Sequence, residues 1–212
     1  PARLEEARQA LAASGGTVVA VAGDAALSAT ARQVMETAAR ELGGFDILAN
    51  IAGAFPTVNV EDTTDELYAE TVGANLTSTF VMCREALPHL RARGGGAIVN
   101  MSSTAARHPT PGLAVYGAAK AGIESFSRAL AVEAAPDIRV NTVSAGPTMT
   151  ETVRALLGND PTEASATVTR ALPLKRLAEP DEIAEAVLFL ASPRASFVTG
   201  QVLHANGGGI MA

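Results

Sequence analysis

Aromatic residues and cysteine are scarce in this 212-residue chain. It has no tryptophan, aromatic residues make up 4% of it, and a single cysteine, Cys83, excludes an internal disulfide bond. One cysteine is typical of a protein from a reducing compartment, and we expect a cytoplasmic location. Hydrophobic residues nevertheless reach 48% of the sequence, so small and branched aliphatic side chains must fill the core.

The sequence also lacks a basic surplus and any long apolar segment. Its formal net charge is −6, which argues against nucleic acid or an anionic membrane surface as a partner. No apolar run approaches the roughly 20 residues that span a bilayer. The three histidines, His89, His108 and His204, do not have the spacing of metal ligands, and we expect no metal site.

Apolar strand-like segments alternate with helical patterns along the whole chain. Predicted strands cover 17–23, 45–53, 96–103, 137–146 and 200–208, and predicted helices cover 1–14, 28–43, 63–93, 116–135 and 180–192. This alternation predicts an α/β fold, a three-layer, doubly wound (Rossmann), mostly parallel sheet. We expect a single domain over 1–212, in which the less periodic residues 150–175 form a substrate flap.

The segment "YGAAK" pairs two rare residue types. Tyr116 is one of two tyrosines and Lys120 one of two lysines in the chain. Residues four apart lie on the same face of a helix. A tyrosine phenol, with a pKa near ~10, is a poor acid at neutral pH, and a nearby ammonium lowers that pKa. We interpret the pair as a general acid–base residue and the cation that tunes it; a solvated helix face is the alternative.

Ser103 ends the predicted strand 96–103, before the helix that contains Tyr116. In open parallel sheets, ligands bind beyond the carboxyl ends of the strands. The serine and the tyrosine could therefore meet at one carbonyl oxygen, where Ser103 donates a hydrogen bond and Tyr116 delivers the proton. A role as a helix cap or turn residue is the alternative for the serine.

Ser103, Tyr116 and Lys120 together resemble the active site of the short-chain dehydrogenase/reductase family. "DILANIAG" is similar to the family's strand end with the motif Asn-Asn-Ala-Gly, and "IRVNTVSAGPTMT" is similar to its Pro-Gly loop. The C-terminal third resembles the 3-oxoacyl reductase branch, and the resemblance covers all 212 residues. It implies an oxidoreductase that uses NAD or NADP to interconvert a secondary alcohol and a ketone by hydride transfer.

The resemblance also implies roles for further residues. Asn75 corresponds to a fourth catalytic residue, which holds a water molecule against the lysine. The positions implied in cofactor binding are Asp24, Asn50, Ala52, Gly53, Tyr116, Lys120, Gly146, Thr148 and Thr150. From the residues alone, Asp24 and Thr150 could instead be helix caps, and Asn75 a helix-packing amide. His108 is either a substrate contact or a solvated loop residue.

The sequence departs from the family pattern at several points. Ile51 replaces the second asparagine of the strand-end motif, Ala145 replaces the proline of the Pro-Gly pair, and Asn206 replaces an aspartate. No glycine-rich turn that could cradle a phosphate follows a strand. Compared with the family, the chain lacks the first βαβ unit, and we expect roughly 35–45 further residues before Pro1. That unit would select NAD or NADP, so either cofactor is expected.

Two functions fit these residues. The first is the oxidoreductase, acting on a small-molecule carbonyl or alcohol substrate that residues 104–115 and the flap would select. The second is a non-catalytic structural or regulatory subunit with the same fold, which the missing phosphate turn favours. By resemblance we expect a homotetramer or homodimer that associates through helices 64–91 and 115–134 and the C-terminal strand.

Overall fold

A four-stranded parallel sheet forms the centre of the protein in a computed structural model, which describes residues 2–157 and 161–211. Its strands, in spatial as well as chain order, are β1 (Ile47–Asn50), β2 (Gly96–Ser103), β3 (Ile138–Ala145) and β4 (Val202–Ala205). All three neighbouring pairs are parallel. The carboxyl ends of the strands therefore meet at one edge of the sheet, where the predicted site residues lie.

Helices connect and cover the strands. They are α1 (Ala2–Ala12), α2 (Ser28–Leu42), α3 (Asp65–Val72), α4 (Ser78–Ala92), α5 (Ala114–Ala134), α6 (Glu151–Leu157), α7 (Pro161–Ala171) and α8 (Pro180–Ala191). None of the helices within the described ranges is long and apolar enough to cross a membrane.

Alternate residues of the strands build two separate hydrophobic layers. Ile98 and Val140 belong to the cluster that packs under α4 and α5, together with Leu130. Their neighbours Val99 and Val143 belong to the cluster under α8. Since successive strand residues point to opposite faces, a run such as "AIV" (97–99) is apolar throughout because both faces are covered. The predicted three-layer α/β architecture is confirmed.

The prediction of a strand at 17–23 is wrong for this structure. Residues 17–22 form no strand ladder, although Val18, Val19 and Val21 are half-buried. A strand is defined by hydrogen bonds to a neighbour, and in the described part of the chain no strand pairs with this segment. For the same reason β1 is an edge strand there, paired on one side with β2.

The single long helix predicted over 63–93 is also wrong. A π-helical segment, Gly73–Thr77, separates α3 from α4. Within it, the backbone carbonyl of Asn75 accepts hydrogen bonds from the hydroxyls of Ser78 (3.1 Å) and Thr79 (2.8 Å). Hydroxyl groups that bond to carbonyls of the preceding turn compete with regular helical hydrogen bonds. Such π-turns are frequent at functional sites.

The segment 150–175 is more regular than its sequence pattern indicates. It contains α6 and α7, whereas residues 158–160 of the predicted flap lie outside the described residues. Proline is well suited to the first turn of a helix, and α7 begins at Pro161.

Candidate active site

The structure brings Ser103, Tyr116 and Lys120 together at the carboxyl edge of the sheet. Ser103 is the last residue of β2, and Tyr116 lies in the first turn of α5. The side chain of Ser103 lies close enough to the Tyr116 phenol to influence its pKa, while the Oγ of Ser103 accepts a hydrogen bond from the backbone N–H of Ala105 at 3.2 Å. The Nζ atom of Lys120 lies 5.6 Å from the centre of the Tyr116 ring, because one helical turn separates the two residues. The predicted constellation therefore exists as one cluster.

Lys120 is held in place by the backbone of the neighbouring strand. Its Nζ donates a hydrogen bond of 2.9 Å to the carbonyl oxygen of Met101, and the residue is only 3% exposed. Burial penalises the charged ammonium and lowers the pKa of Lys120 to about 8. Nothing in the residue types indicated Met101, because a backbone carbonyl can belong to any residue.

The pKa of Tyr116 corrects one expectation. We predicted that the ammonium of Lys120 would lower this pKa, but burial of the phenol raises it above its usual value. The hydrogen bond with Ser103 offsets part of that increase. The physical reason is that removing a phenolate from water costs more than one neutral hydrogen bond returns. Lys120 is 5.6 Å away and is itself anchored to Met101.

Asn75 faces the same cluster from the π-helical segment. Its Nδ2 donates to the carbonyl oxygens of Ala54 and Thr71, each at 2.8 Å, and the residue is fully buried. Its Oδ1 is also buried and has no hydrogen-bond partner among the described residues. A Cβ added at Gly53 would lie 2.6 Å from this Oδ1 and 3.3 Å from Nζ of Lys120. Asn75, Gly53 and Lys120 thus converge at one point.

A cleft of about 1110 Å³ opens beside these residues. Its walls include Ser103, Tyr116, Lys120 and the predicted cofactor positions Gly53, Gly146, Thr148 and Thr150. Most other lining residues are apolar, and Phe55 adds a ring 6.2 Å from that of Tyr116, at an angle of 56°. His108 lies on the exposed rim. The side chain of Phe55 gave no signal in the sequence beyond its position after the small residues of the strand end.

The predicted cofactor residues after β3 form a close-packed turn. A Cβ at Gly146 would lie 2.6 Å from Cα of Asn206, so only glycine fits there. The hydroxyl of Thr148 donates to the carbonyl oxygen of Gly146 at 2.9 Å. The Oγ1 of Thr150 accepts from the backbone N–H of Val153 at 3.3 Å, at the start of α6. Thr150 therefore both lines the cleft and caps a helix.

Three other predicted cofactor residues do not present a side chain to the described cleft walls. Asn50 points to the opposite face of the sheet, where its Nδ2 donates to Oδ1 of Asn100 at 2.8 Å. Asp24 is exposed and accepts from the N–H of Ala26 at 2.9 Å, as in a turn. Ala52 is exposed between lining residues. Their contacts with a cofactor stay predictions.

The histidines do not gather into a metal site. Among the residues that the structure describes, no group of three or more histidine, cysteine, aspartate or glutamate side chains could hold a metal ion. The ring of His89 stacks on Phe45 with centroids 5.8 Å apart, and His204 lies in β4.

Comparison with known proteins places this site in a family context. Residues 1–209 match the family described as Enoyl-(Acyl carrier protein) reductase. The chain is 34% identical over 208 residues to an acetoacetyl-CoA reductase from Allochromatium vinosum, covering 98% of this chain and 83% of that protein. It is 38% identical over 176 residues to a 3-oxoacyl-(acyl-carrier-protein) reductase from Vibrio cholerae, covering 82% of this chain and 70% of that protein.

A solved structure agrees with these relatives. The crystal structure of a short-chain dehydrogenase/reductase from Brucella melitensis, of the glucose/ribitol dehydrogenase type, superimposes with a TM-score of 0.85. The two sequences are 35% identical, and the alignment covers 98% of this chain and 83% of that one. Together with the converging serine, tyrosine and lysine, these matches favour the enzyme over the non-catalytic subunit. The chain belongs to the short-chain dehydrogenase/reductase family and is an NAD(P)-dependent oxidoreductase of the 3-oxoacyl reductase-like branch.

Proposed function

We propose that the protein interconverts a secondary alcohol and a ketone, with Tyr116 as the general acid–base residue. The observation that carries this proposal is the convergence of the Tyr116 and Ser103 side chains at the wall of one cleft, with a buried ammonium 5.6 Å from the tyrosine ring. Two hydroxyls that already meet can both reach one substrate oxygen.

The residues present fit the nicotinamide end of a dinucleotide. Gly53 and Gly146 line the cleft at points where a Cβ would collide with neighbouring atoms, so the backbone itself can come close to a ligand. Lys120 would hydrogen-bond the ribose, and Thr148 the carboxamide. When bound, NAD or NADP accepts or supplies the hydride.

In the reductive direction, the substrate carbonyl oxygen takes a hydrogen bond from Ser103 and the proton of the Tyr116 hydroxyl. The resulting phenolate is unfavourable in a buried position, and the nearby ammonium of Lys120 stabilises it. Because the pKa of Lys120 is about 8, its charged form predominates at neutral pH. In the oxidative direction, the Tyr116 phenolate removes the proton of the alcohol.

Asn75 would support this proton transfer by holding a water molecule against Lys120. Its buried Oδ1 is an acceptor without a protein partner among the described residues, and it lies beside Gly53 next to the lysine. A buried acceptor of this kind is satisfied by ordered water. The water would reprotonate the tyrosine through the lysine.

Replacing Tyr116 by phenylalanine tests the proposal. We expect Tyr116→Phe to lower kcat by about 10²–10⁴-fold, the usual contribution of a positioned acid or base. Cofactor affinity should change little, because the aromatic ring and its packing on Phe55 remain. The assay is turnover of a ketone and alcohol panel with NADH or NADPH, alongside cofactor binding followed by nicotinamide fluorescence.

The matched control is Tyr68→Phe, the other tyrosine of the chain, which lies in α3 and is 54% exposed. It should leave turnover unchanged. Unchanged turnover in Tyr116→Phe would show that the acid lies elsewhere.

We further propose a homotetramer or homodimer and a cytoplasmic location. Phe80 of α4 is 41% exposed and packs edge-on against Phe126 of α5, which leaves apolar surface that a second copy could cover. Gly122 of α5 packs within the chain and does not add to this surface, because a Cβ there would lie 3.1 Å from the side chain of Leu76. The free thiol of Cys83 supports a reducing compartment. Light scattering of the purified protein measures the oligomeric state.

A further inference from the structure

A buried carboxylate lies one helical turn beyond Lys120. Glu124 of α5 is 3% exposed, and three groups surround its carboxylate. Ser102 Oγ donates at 3.1 Å, Arg107 Nε donates at 3.2 Å, and Nη1 of Arg128 lies at 3.8 Å. A buried carboxylate needs such partners, because removing its charge from water is costly.

Ser102 connects this carboxylate to the reacting end of β2. It precedes Ser103 directly and shares its hydrogen between Glu124 and the carbonyl oxygen of Lys120, at 3.2 Å. Because successive strand residues point to opposite faces, Ser102 points towards α5 while Ser103 points towards the cleft. A contact that fixes Ser102 therefore also fixes the backbone from which Ser103 projects.

Arg107 connects the same carboxylate to the wall of the cleft. It lies in the segment 104–113, between β2 and α5, and its neighbours Ala105 and His108 line the cleft. Its guanidinium turns to Glu124 across a sequence separation of 17 residues. The ion pair thus ties this segment to the helix that carries Tyr116.

The ion pair adds little stability, because the Glu124 carboxylate is desolvated while the Arg107 side chain is 38% exposed, so desolvation and solvent screening both reduce the gain. The carboxylate of Glu124 does provide one directional contact to Ser102 at the end of β2 and one to Arg107 in the segment 104–113. The one indication of this residue in the sequence is that Glu124 is the charged residue in the segment "AGIES" (121–125).

We propose that Glu124 is a positioning residue for the reaction, which sets the place of Ser103 through Ser102 and of the cleft wall 104–113 through Arg107. This inference rests on the proposed alcohol–ketone chemistry. Glu124 does not touch the reacting atoms. Its two contacts should influence different kinetic constants, because Ser103 acts on the reacting oxygen whereas the cleft wall contacts the rest of the substrate.

Steady-state kinetics of three variants separate these contacts. Ser102→Ala should lower kcat by about 5–10-fold with little change in KM, and Arg107→Gln should raise KM by about 5–10-fold with little change in kcat, as for small displacements of positioned groups. Glu124→Gln should show both effects. Glu133→Gln, the same substitution at an exposed position of α5, is the control and should match the wild type.

Hydrogen–deuterium exchange gives a second measurement that needs no turnover. In Glu124→Gln, exchange should increase in 96–113 and stay unchanged in β3 and α8. An increase throughout the sheet, or kinetic constants equal to those of Glu133→Gln, would overturn the inference. If the wild type turns over no alcohol or ketone, the proposed function fails instead. Hydrogen–deuterium exchange then tests the inference without turnover data. An increase confined to 96–113 in Glu124→Gln supports it, and no increase contradicts it.

Discussion

Burial has opposite electrostatic consequences for the two central residues of this site. It lowers the pKa of Lys120 to about 8 and raises that of Tyr116, so both groups are driven towards their neutral forms. The proposed reaction needs a phenolate next to an ammonium. The ammonium of Lys120 predominates at neutral pH and makes the buried phenolate less unfavourable, which suits transfer of a proton between tyrosine and substrate.

The buried lysine should make stability depend on pH. Its pKa is about 8 in the folded protein and 10.5 in the unfolded chain, so between these values the unfolded state binds more protons. Stability from this group therefore rises as pH rises. Relative to Lys120→Met, the free energy of unfolding of the wild type should increase by about 1.5 kcal/mol from pH 8 to pH 9.5. Urea denaturation at each pH measures it.

Lys175→Met is the control for this experiment, because Lys175 is the other lysine and is exposed. Its difference from the wild type should stay constant over the same range. A difference between wild type and Lys120→Met that does not change with pH would contradict the burial of a titrating ammonium.

Among the secondary-structure elements, a chain of buried amides joins the edge strand to the rest of the fold. Asn50 of β1 donates to Oδ1 of Asn100 in β2 at 2.8 Å, and Nδ2 of Asn100 donates to Oγ of Ser127 in α5 at 2.8 Å. Asn50 also contacts the sulfur of Cys83 in α4 at 3.3 Å. Polar residues in a fully buried strand thus hold β1 in register with the helices that cover it.

Replacing the central amide should be costly. Asn100→Ala leaves Nδ2 of Asn50 and the hydroxyl of Ser127 without this partner, and each unsatisfied buried group costs about 1–3 kcal/mol. We expect a loss of about 2–4 kcal/mol in the free energy of unfolding, measured by denaturant titration. Asn59→Ala, at an exposed position, is the control and should stay within about 0.5 kcal/mol of the wild type. Equal stability of both variants would show that the network contributes nothing.

The connection between α3 and α4 shows why element boundaries were harder to predict than element types. Apolar periodicity continues across 63–93, and no proline or glycine pair interrupts it at the π-helical segment. At the interruption, the hydroxyls of Ser78 and Thr79 donate to the carbonyl oxygen of Asn75. The Asn75 amide in turn donates to the carbonyl oxygens of Thr71 and Ala54. These bonds depend on tertiary packing, which periodicity does not report.

For the molecule as a whole, the cleft is the feature that connects ligand binding to the stability of the fold. It runs from the proposed catalytic residues at the end of β2 past β1 to α8, and Lys120 is the one ammonium or guanidinium group among its described lining residues. A ligand that fills it contacts α5 through Tyr116 and Lys120 and α8 through Ile183 and Val187. Binding should therefore stabilise the entire fold and not just one loop.

This coupling predicts a thermal shift with cofactor. A ligand at 100 times its Kd stabilises the folded state by about 2.7 kcal/mol, which raises the Tm of a domain of this size by roughly 5–10 °C. Differential scanning fluorimetry with NAD, NADP and their reduced forms measures the shift and shows which cofactor is preferred. ADP-ribose, which lacks the nicotinamide, is the comparison ligand. No shift with any dinucleotide would contradict binding in this cleft.

The sequence by itself determined the fold class and predicted the cluster of Ser103, Tyr116 and Lys120 on which the proposed reaction depends. Alternating apolar segments specify a parallel sheet covered on both faces, and the spacing of Tyr116 and Lys120 specifies one helical face, because both patterns are local consequences of backbone geometry. Tertiary structure alone decided the rest: that 17–23 forms no strand, that Asn50 turns away from the cleft, that burial raises the pKa of Tyr116, and that Glu124 meets Arg107. Strand pairing, solvent exclusion and contacts between distant residues arise only when separate segments meet.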